Sequence, residues 1–330
     1  HLNRRGERGT LVLDQRERVT ATAAFAQGAA ELGPGLSLLG ALRYDHYRFS
    51  VADRLVGPRD PDDSGSRPMD AWSPTLGVSL AAAEGMTLYA NLSTAFETPT
   101  TTELANRPDG AGGFNPELEP QHTTSYEAGA KGRLGGWGAV ELAAYHADVT
   151  NERIPFEVPG VPGRQFFRNA GSSLRRGVEA GATLSPLSGL RARLAYTWTD
   201  ARFREYVVGG RTLEGNRVPG IAPHRLEGRL SWEGAAGAFA EAGARHVSSL
   251  PVDDANRFRS PAYTLADLRA GWEGARLGRL RASPFVGVDN LFGREYNTSV
   301  VVNAFGGRFF EPGPGRTLYA GVGVAFGAGR

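Results

Sequence analysis

The sequence predicts an all-β protein, folded as an antiparallel transmembrane β-barrel. Three observations carry this prediction. Side-chain character alternates with a period of two along the chain, tight turns alternate with long polar loops, and residues that break helices are abundant. The 330 residues include 45 glycines and 20 prolines, which is too many for a mainly helical protein.

The alternation is clearest in three segments that we predict to be strands. In Met86–Glu97, "MTLYANLSTAFE", apolar residues occupy nearly every second position and polar residues lie between them. Leu190–Asp200 and Arg225–Glu233 repeat the pattern, with arginine or glutamate on the polar face. Each strand therefore has one apolar face and one charged face, as expected between lipid and a polar interior.

The connections between these strands alternate between short and long. Short turns are predicted near 33–35, 83–85, 135–136, 185–189, 234–237 and 274–278, and long loops at about 54–70, 99–121, 152–165, 203–222, 250–261 and 294–313. Short turns on one rim and long loops on the other are typical of outer-membrane barrels, whose short turns are periplasmic. A soluble sandwich would have loops of similar length at both ends. We count about 13–14 strands.

Composition excludes several other classes of protein. Mean hydropathy is −0.31 and no run approaches the roughly 18–20 apolar residues that a membrane-spanning helix needs. There is no cysteine, which excludes disulfide scaffolds, cysteine-bound zinc and cysteine nucleophiles. Basic and acidic residues are interleaved and the net charge is only +2, so a nucleic-acid partner is not supported.

Several segments resemble, in order and in spacing, the central and C-terminal parts of TonB-dependent outer-membrane receptors. They include "STAFETPTTTEL" (Ser93–Leu104), "NPELEPQHTTSYEAGAK" (Asn115–Lys131), "DNLFGREYNTS" (Asp289–Ser299) and "PGRTLYAGVGVAF" (Pro314–Phe326). The resemblance implies a barrel of 22 strands whose lumen holds an N-terminal plug domain. We expect residues 1–330 to be a single domain, the C-terminal portion of such a barrel, without the plug and the first strands.

The resemblance also implies a function and partners. Such receptors lie in the outer membrane and take up scarce nutrients, here expected to be a ferric siderophore, with energy delivered by the TonB complex through the plug. The outer-membrane assembly machinery is a further expected partner. The alternative is a passive porin, or another barrel protein without TonB coupling. We expect no enzymatic activity: a barrel hydrolase needs a serine–histidine pair on neighbouring strands, and candidates such as Ser231 near His224 define no such site.

We predict that a ligand vestibule lies among the long loops. In loop 98–121 the candidates are Arg107, Asp109 and Phe114. We expect Phe114 to be an exposed aromatic. The alternative for Asn115–Pro120 in this loop is that the segment simply starts the next strand. Guanidinium groups match carboxylates and catecholates in charge and geometry, so loop arginines are candidates for an anionic iron chelate. The alternative is that they form salt bridges with loop acids such as Glu205, Glu214 and Glu311. These arginines are Arg164, Arg168, Arg211, Arg217, Arg257 and Arg308.

No metal or cofactor site is predicted. The histidines are scattered over separate segments, without ligand spacing. Asp60, Asp62 and Asp63 offer oxygen ligands for Ca²⁺, but Pro61 interrupts the run, and a solvated acidic turn is the favoured interpretation. On the inner wall, the resemblance implies contacts with the plug, for which Arg191, Arg193, Glu227 and Arg229 are candidates.

The last strand is expected to close the barrel and to resemble the signal that the assembly machinery reads. In this strand Leu318, Val322, Val324 and Phe326 are predicted to face lipid, and Tyr319 to face the lumen. This prediction rests on the alternation of small and apolar residues, which continues up to an aromatic at the end of the strand. We expect the side chain of Phe326 to face outward at the periplasmic rim.

Overall fold

The structure, a computed structural model, describes residues 3–4, 6–58, 61–159, 164–169, 171–277 and 280–326. Thirteen long antiparallel strands form one sheet in the described part of the chain, and each strand pairs with the next one in sequence. Numbered β1–β13 in chain order, they are Gln15–Gly33, Leu36–Asp53, Gly65–Ala83, Met86–Glu97, Gln121–Arg133, Gly138–Thr150, Ser172–Leu187, Leu190–Glu205, His224–Glu233, Ala238–Val247, Tyr263–Trp272, Leu280–Asp289 and Thr317–Phe326.

Shorter elements lie between or before these strands. Ala275–Leu277 pairs with β12 as a fourteenth, short strand of the same sheet. One α-helix, α1 (Thr101–Ala105), and one 3₁₀ helix, Phe305–Gly307, are present in the described residues. No helix in this part of the chain is long and apolar enough to cross a membrane. The remaining strands form two-stranded pairs: Asn3–Arg4 with Glu7–Arg8, Arg153–Phe156 with Phe166–Asn169, Val207–Val208 with Arg211–Thr212, Leu250–Pro251 with Arg259–Ser260, and Asn297–Val300 with Phe310–Pro312.

The predicted alternation of connections is confirmed. Strands are joined at one rim by short turns and at the other by six long loops. We number the loops 1–6: 54–64, 98–120, 151–171, 206–223, 248–262 and 290–316. In its described residues, each short turn contains one glycine in the left-handed region of backbone space, which residues with a side chain disfavour. These glycines are Gly35, Gly85, Gly135, Gly189, Gly237 and Gly274.

The register confirms the two faces that the alternation predicts. Leu190 pairs with Trp232 on one face, and Arg193 pairs with Arg229 on the other. Because cross-strand partners point to the same side of a sheet, the apolar residues form a continuous surface. We call this apolar face the outer face and the polar face the inner face. The outer face exposes many large apolar side chains, such as Leu142 at 54% and Leu318 at 77%.

Aromatic rings cover glycines of the neighbouring strand on the inner face. In each of five cross-strand pairs, a side chain added to the glycine would collide with the ring. The ring thus lies along the wall and occupies the space that the glycine leaves, which fixes the register of the two strands. The pairs are Tyr89–Gly129, Tyr145–Gly177, Phe239–Gly271, Phe285–Gly321 and Tyr319–Gly287.

The last strand matches the prediction as far as it is described. β13 pairs with β12 over its whole length, from Thr317 opposite Asp289 to Phe326 opposite Leu280. Leu318, Val322 and Val324 are exposed on the outer face, opposite in orientation to Tyr319. Within the described residues the free edges of β1 and β13 have no strand partner, so barrel closure stays a prediction. The side chain of Phe326 lies outside the described residues.

Strand length falls along the chain. β1, β2 and β3 have 19, 18 and 19 residues, whereas β9–β13 have 10 each. A bilayer needs about 9–11 residues per strand, so the first three strands extend well beyond it. On the outer face of β2 and β3, Tyr44 contacts Trp72, with ring centroids 4.9 Å apart. The outer face is apolar between this contact and the short-turn rim, and it is polar between the contact and loop 1.

Candidate ligand vestibule

Three small hydrophobic clusters organise the loops at the long-loop rim. The first surrounds Phe203 and Tyr206, whose ring centroids are 4.6 Å apart, and joins loops 3 and 4 to β8. The second includes Leu104 and Leu118, both fully buried, and holds loop 2 against β2 and β3. The third, around Val252, joins loops 5 and 6. Because burial of these side chains stabilises each loop locally, the rim is a packed layer.

Loop 2 begins with a short capped helix. The side chain of Thr100 accepts a hydrogen bond from the backbone of Glu103, and Glu103 accepts one from the Thr100 backbone, which is a capping box. The interpretation of Asn115–Pro120 as the start of the next strand is wrong, because β5 begins at Gln121. The segment instead forms a turn fastened to β3, where Arg67 donates to the Asn115 carbonyl and pairs with Glu119 at 2.9 Å.

The structure separates the loop 2 candidates from one another. Arg107 and Asp109 form a bidentate ion pair at 3.1 and 2.7 Å. This hydrogen bonding, with a further bond from the Ala111 backbone, lowers the pKa of Asp109 to about 2. The prediction that Phe114 is exposed is wrong: it is partly buried against Leu104 and Leu118, because an aromatic ring gains more from this contact than from water.

Loops 3, 4, 5 and 6 meet at a buried carboxylate, Asp254. Tyr206 Oη donates to Asp254 Oδ2 at 2.8 Å, and Asn303 Nδ2 donates to Asp254 Oδ1 at 2.9 Å. Asn303 Nδ2 also donates to the Pro155 carbonyl at 3.0 Å, so one amide links three loops. Burial raises the pKa of Asp254, against the hydrogen bonds from Asn303 and Tyr206, which lower it. Burial also raises the pKa of Tyr206.

Arg168, a predicted vestibule residue, supports this junction. Its guanidinium lies 4.2 Å from the centroid of the Phe156 ring. Its positive charge also opposes the effect of burial on the pKa of both Tyr206 and Asp254. Its Nε is buried and has no hydrogen-bond partner among the described residues. Arg168 is thus a structural cation of the loop layer as well as a candidate for ligand contact.

Two predicted arginines meet in one cleft. Arg164 and Arg308 line a cavity of about 710 Å³ between loops 2, 3 and 6. Arg308 pairs with Glu157 at 2.8 Å, and the other lining carboxylate, Glu103, pairs with Arg153 at 3.2 Å. The remaining lining residues are Thr100, Thr102, Asn106, Gln165, Phe167 and Val301.

Arg164 is the uncompensated charge of this cleft. Its Nε donates to Asn106 Oδ1 at 2.8 Å, and its guanidinium lies 5.3 Å from the centroid of the Phe166 ring. No carboxylate of the described residues is within salt-bridge distance. A guanidinium held by an amide and beside an aromatic ring keeps donors for an anionic oxygen. The cleft therefore presents a guanidinium whose remaining donors suit an anionic oxygen.

The other predicted arginines lie outside this cleft. Arg257 pairs with Asp253 at 3.2 Å, and Arg217 lies 3.6 Å from Asp200 near the outer face. Arg211 is exposed in the loop 4 hairpin. Several loop arginines thus form salt bridges, as the alternative interpretation predicted. The predicted partners Glu205, Glu214 and Glu311 are wrong, because other acids pair with these arginines. The observed partners are either a few residues away, as Asp253 is from Arg257, or distant in sequence, as Glu157 is from Arg308.

The described loop acids and histidines form no metal site. In loop 1, Asp62 accepts from the Ser64 backbone at 2.8 Å and Asp63 accepts from the Gly113 backbone at 3.0 Å, so both shape turns. Asp60 lies outside the described residues. No group of three or more metal-ligating side chains occurs in the described part of the chain. The described histidines lie on separate strands; His224, for example, forms a hydrogen bond with Tyr196 at 2.9 Å.

The inner wall below the loops is charged. Arg193 and Arg229 are direct cross-strand neighbours, and with Glu227 and Glu141 they line a cleft of about 320 Å³. Like charges in direct cross-strand positions repel each other, and the two glutamates in the same cleft offset this repulsion. The plug contacts predicted for this wall stay a prediction.

Comparisons with known proteins place this arrangement in context. A family model described as TonB dependent receptor-like, beta-barrel matches residues 3–291. The metal-pseudopaline receptor CntO of Pseudomonas aeruginosa is 30% identical over 293 residues, which cover 85% of this chain and 38% of that receptor. The ferrioxamine B receptor of Salmonella typhimurium is 26% identical over 298 residues, with coverage of 87% and 38%.

Solved structures show the same fold. The siderophore receptor PiuA from Acinetobacter baumannii superposes with a TM-score of 0.76 at 17% identity, covering 94% of this chain and 44% of that one. The chain spans about two fifths of the length of the curated relatives that it matches.

Proposed function

Because this chain belongs to the TonB-dependent receptor β-barrel family, we propose that the complete protein is an outer-membrane receptor for energised uptake of an iron chelate. The residues described above would supply part of its wall and of its vestibule. The matched relatives include receptors for a metal–pseudopaline complex, ferrioxamine B and ferrichrome. These names, all of receptors for metal chelates or siderophores, support a ferric siderophore as the substrate class.

The observation that carries the proposal is the cleft between loops 2, 3 and 6. Arg164 offers free donors at its surface, Thr100 and Asn106 supply further polar groups, and Phe167 adds an apolar surface. Bulky chelates have anionic oxygens next to apolar backbone, which such a mixed surface suits. Arg107, Asp109, Phe114, Arg168, Arg211, Arg217, Arg257 and Arg308 remain part of the proposed vestibule as its more distant or structural members.

We propose further partners on family grounds. A plug domain would lie against the inner wall and connect to the TonB complex. The assembly machinery would read the last strand, through Leu318, Tyr319, Val322, Val324 and Phe326. A catalytic activity is not part of the proposal, since the family consists of receptors and transporters.

The ligand test uses the complete receptor with Arg164→Ala and a panel of ferric chelates with hydroxamate, carboxylate and catecholate donors. Loss of a charge-assisted hydrogen bond should weaken binding of the cognate chelate by about tenfold. Arg54→Ala is the matched control, because Arg54 is exposed on loop 1 and does not line the cleft. Equal affinity of the Arg164→Ala receptor and the control for every chelate that binds would contradict the role of the cleft.

The transport test separates a receptor from a passive porin. Cells that carry the complete receptor should accumulate the cognate ferric chelate, and collapse of the inner-membrane proton gradient should stop accumulation. Uptake that continues at the same rate without the gradient would support the porin and end the proposal of energised uptake.

A further inference from the structure

We propose that an arginine cluster on the outer face binds the phosphate groups of the phosphorylated lipid of the outer leaflet. The cluster lies on β6–β8 and the adjoining loop 4, at the long-loop end of the apolar surface. We call it the outer arginine cluster; its members are Arg176, Arg202, Arg204 and Arg217, with the carboxylates Asp148 and Asp200.

Asp200 holds three of the arginines together. Its carboxylate lies 3.2 Å from Arg176 Nη2, 3.0 Å from Arg202 Nε and 3.6 Å from Arg217 Nη2. The Asp200 side chain is only 7% exposed, because the guanidinium groups cover it. Guanidinium groups repel one another, so this buried acid allows three of them to occupy one small area.

A second acid positions the fourth arginine. Arg204 Nη1 lies 2.6 Å from Asp148 Oδ1, and His146 lies 3.3 Å from the other oxygen of the same carboxylate. The cluster therefore contains four guanidinium groups and two carboxylates. The excess of positive charge faces outward, since the side chains of Arg176 and Arg204 are 56% and 49% exposed.

The register puts the cluster at the depth of a lipid headgroup. Tyr126, His146, Arg176 and Asp200 are successive cross-strand partners, so they lie side by side on the outer face. The next row toward the short turns, Ala128–Ala144–Val178–Trp198, is apolar. Arginines directly above an apolar, tryptophan-bearing band meet the boundary between acyl chains and headgroups. Because the long loops of such barrels are extracellular, this boundary belongs to the outer leaflet.

The chemistry of the cluster fits phosphate. A guanidinium presents paired donors whose spacing matches two phosphate oxygens. Asp200 and the Gly215 carbonyl, which accepts from Arg202 Nη1 at 2.8 Å, use only some of the donors on Arg176 and Arg202. An acyl chain of the same lipid would lie on Val178 and Trp198. A purely internal ion-pair network is the other interpretation, and it makes a different prediction for lipid retention.

The test measures which lipids stay bound to the complete receptor in nanodiscs of bis-phosphorylated lipid A, compared with the same lipid after phosphate removal. The variant Arg176→Gln/Arg204→Gln leaves Asp200 with two arginines and Asp148 with His146. We expect native mass spectrometry to show about a fivefold loss of bound phosphorylated lipid for each charge removed. The dephosphorylated lipid should bind weakly to both receptors.

The control is Arg245→Gln, which removes one arginine from the inner face of β10, opposite Glu227. It should retain phosphorylated lipid as the parent receptor does. Retention by the double variant equal to that of the parent, or equal retention of both lipids, would overturn the proposal in favour of an internal network. Heat-modified gel mobility identifies any variant that fails to fold. If the double variant fails to fold, Arg204→Lys replaces it: this substitution keeps the charge, and it should still show a partial loss of bound phosphorylated lipid.

Discussion

The two rims of the sheet are built by different physical means. The short-turn rim is fixed by backbone conformation, with one left-handed glycine in each turn. The long-loop rim is fixed by side-chain packing, through three hydrophobic clusters and the buried junction at Asp254. A turn of this kind is specified by one local residue, whereas a loop layer depends on contacts between distant ones. The four predictions below test this difference, from the largest expected effect to the smallest.

Truncation of a loop-layer side chain should have the largest effect. Phe203 is 1% exposed and packs on Tyr206 and Ile154, so Phe203→Ala should cost about 3–5 kcal/mol of local stability in loops 3 and 4. Limited proteolysis of the complete receptor should show faster cleavage there. The control is Leu194→Ala on the same strand, 51% exposed on the outer face, which should leave loop cleavage unchanged. Equal cleavage in both variants would contradict a packed loop layer.

A substitution in a short turn should have the next largest effect, and it should act through the backbone. Gly189 has φ +75°, and an added Cβ would collide with the Glu233 carbonyl. Gly189→Ala should therefore cost about 2 kcal/mol, measured by unfolding in urea and detergent. Gly136, also in a short turn, has no such φ and open space around it, so Gly136→Ala serves as the control. If both variants are equally stable, backbone conformation is not what fixes this rim.

The loop junction should also respond to pH. Since burial raises the pKa of Asp254, the folded state favours its protonated form, and this stabilisation is complete below the ordinary value of 3.8. It is lost as the pH rises through the raised pKa. Hydrogen exchange of loop 5, corrected for intrinsic rates, should therefore show less protection as the pH increases from about 4. Asp254→Asn should remove this dependence, and a dependence that persists in it would assign the effect to another group.

The exposed pair in loop 2 should have the smallest effect. Asp109 is 57% exposed, and water screens its attraction to Arg107. Asp109→Asn should leave loop 2 cleavage at pH 7 unchanged within error. Because the pKa of Asp109 is lowered, its contribution to the stability of the folded state is complete above the ordinary value of 3.8. This contribution is lost as the pH falls through about 2. A clear increase in loop 2 cleavage at pH 7 would show that isolated surface charges also hold the loop layer.

The sequence predicts the strands and turns well because the controlling signals are local. Alternation in Leu190–Asp200 assigned both faces of β8 correctly, and glycines located all six short turns. The vestibule is harder because its contacts span the chain: Arg308 pairs with Glu157, 151 residues away. Nothing near Asp254 in sequence indicates that Tyr206 and Asn303 will enclose it.

The error at Phe114 has the same origin. The position of Phe114 in a glycine-rich loop predicts an exposed ring, yet the ring packs against the cluster of Leu104 and Leu118, which forms only after loop 2 folds on β2 and β3. Arg164 was identified as a candidate by residue type alone. Its lack of a carboxylate partner among the described residues follows from the three-dimensional placement of Glu103 and Glu157, which other arginines occupy.

The unequal lengths of the strands have a consequence for recognition from outside the cell. Above the contact of Tyr44 with Trp72, β1–β3 continue as a hydrogen-bonded sheet with a polar outer surface. About eight residues per strand exceed what a bilayer covers, or roughly 25 Å along each strand. Because backbone hydrogen bonds between neighbouring strands hold this surface, we expect it to offer antibodies a conformational epitope on one side of the receptor.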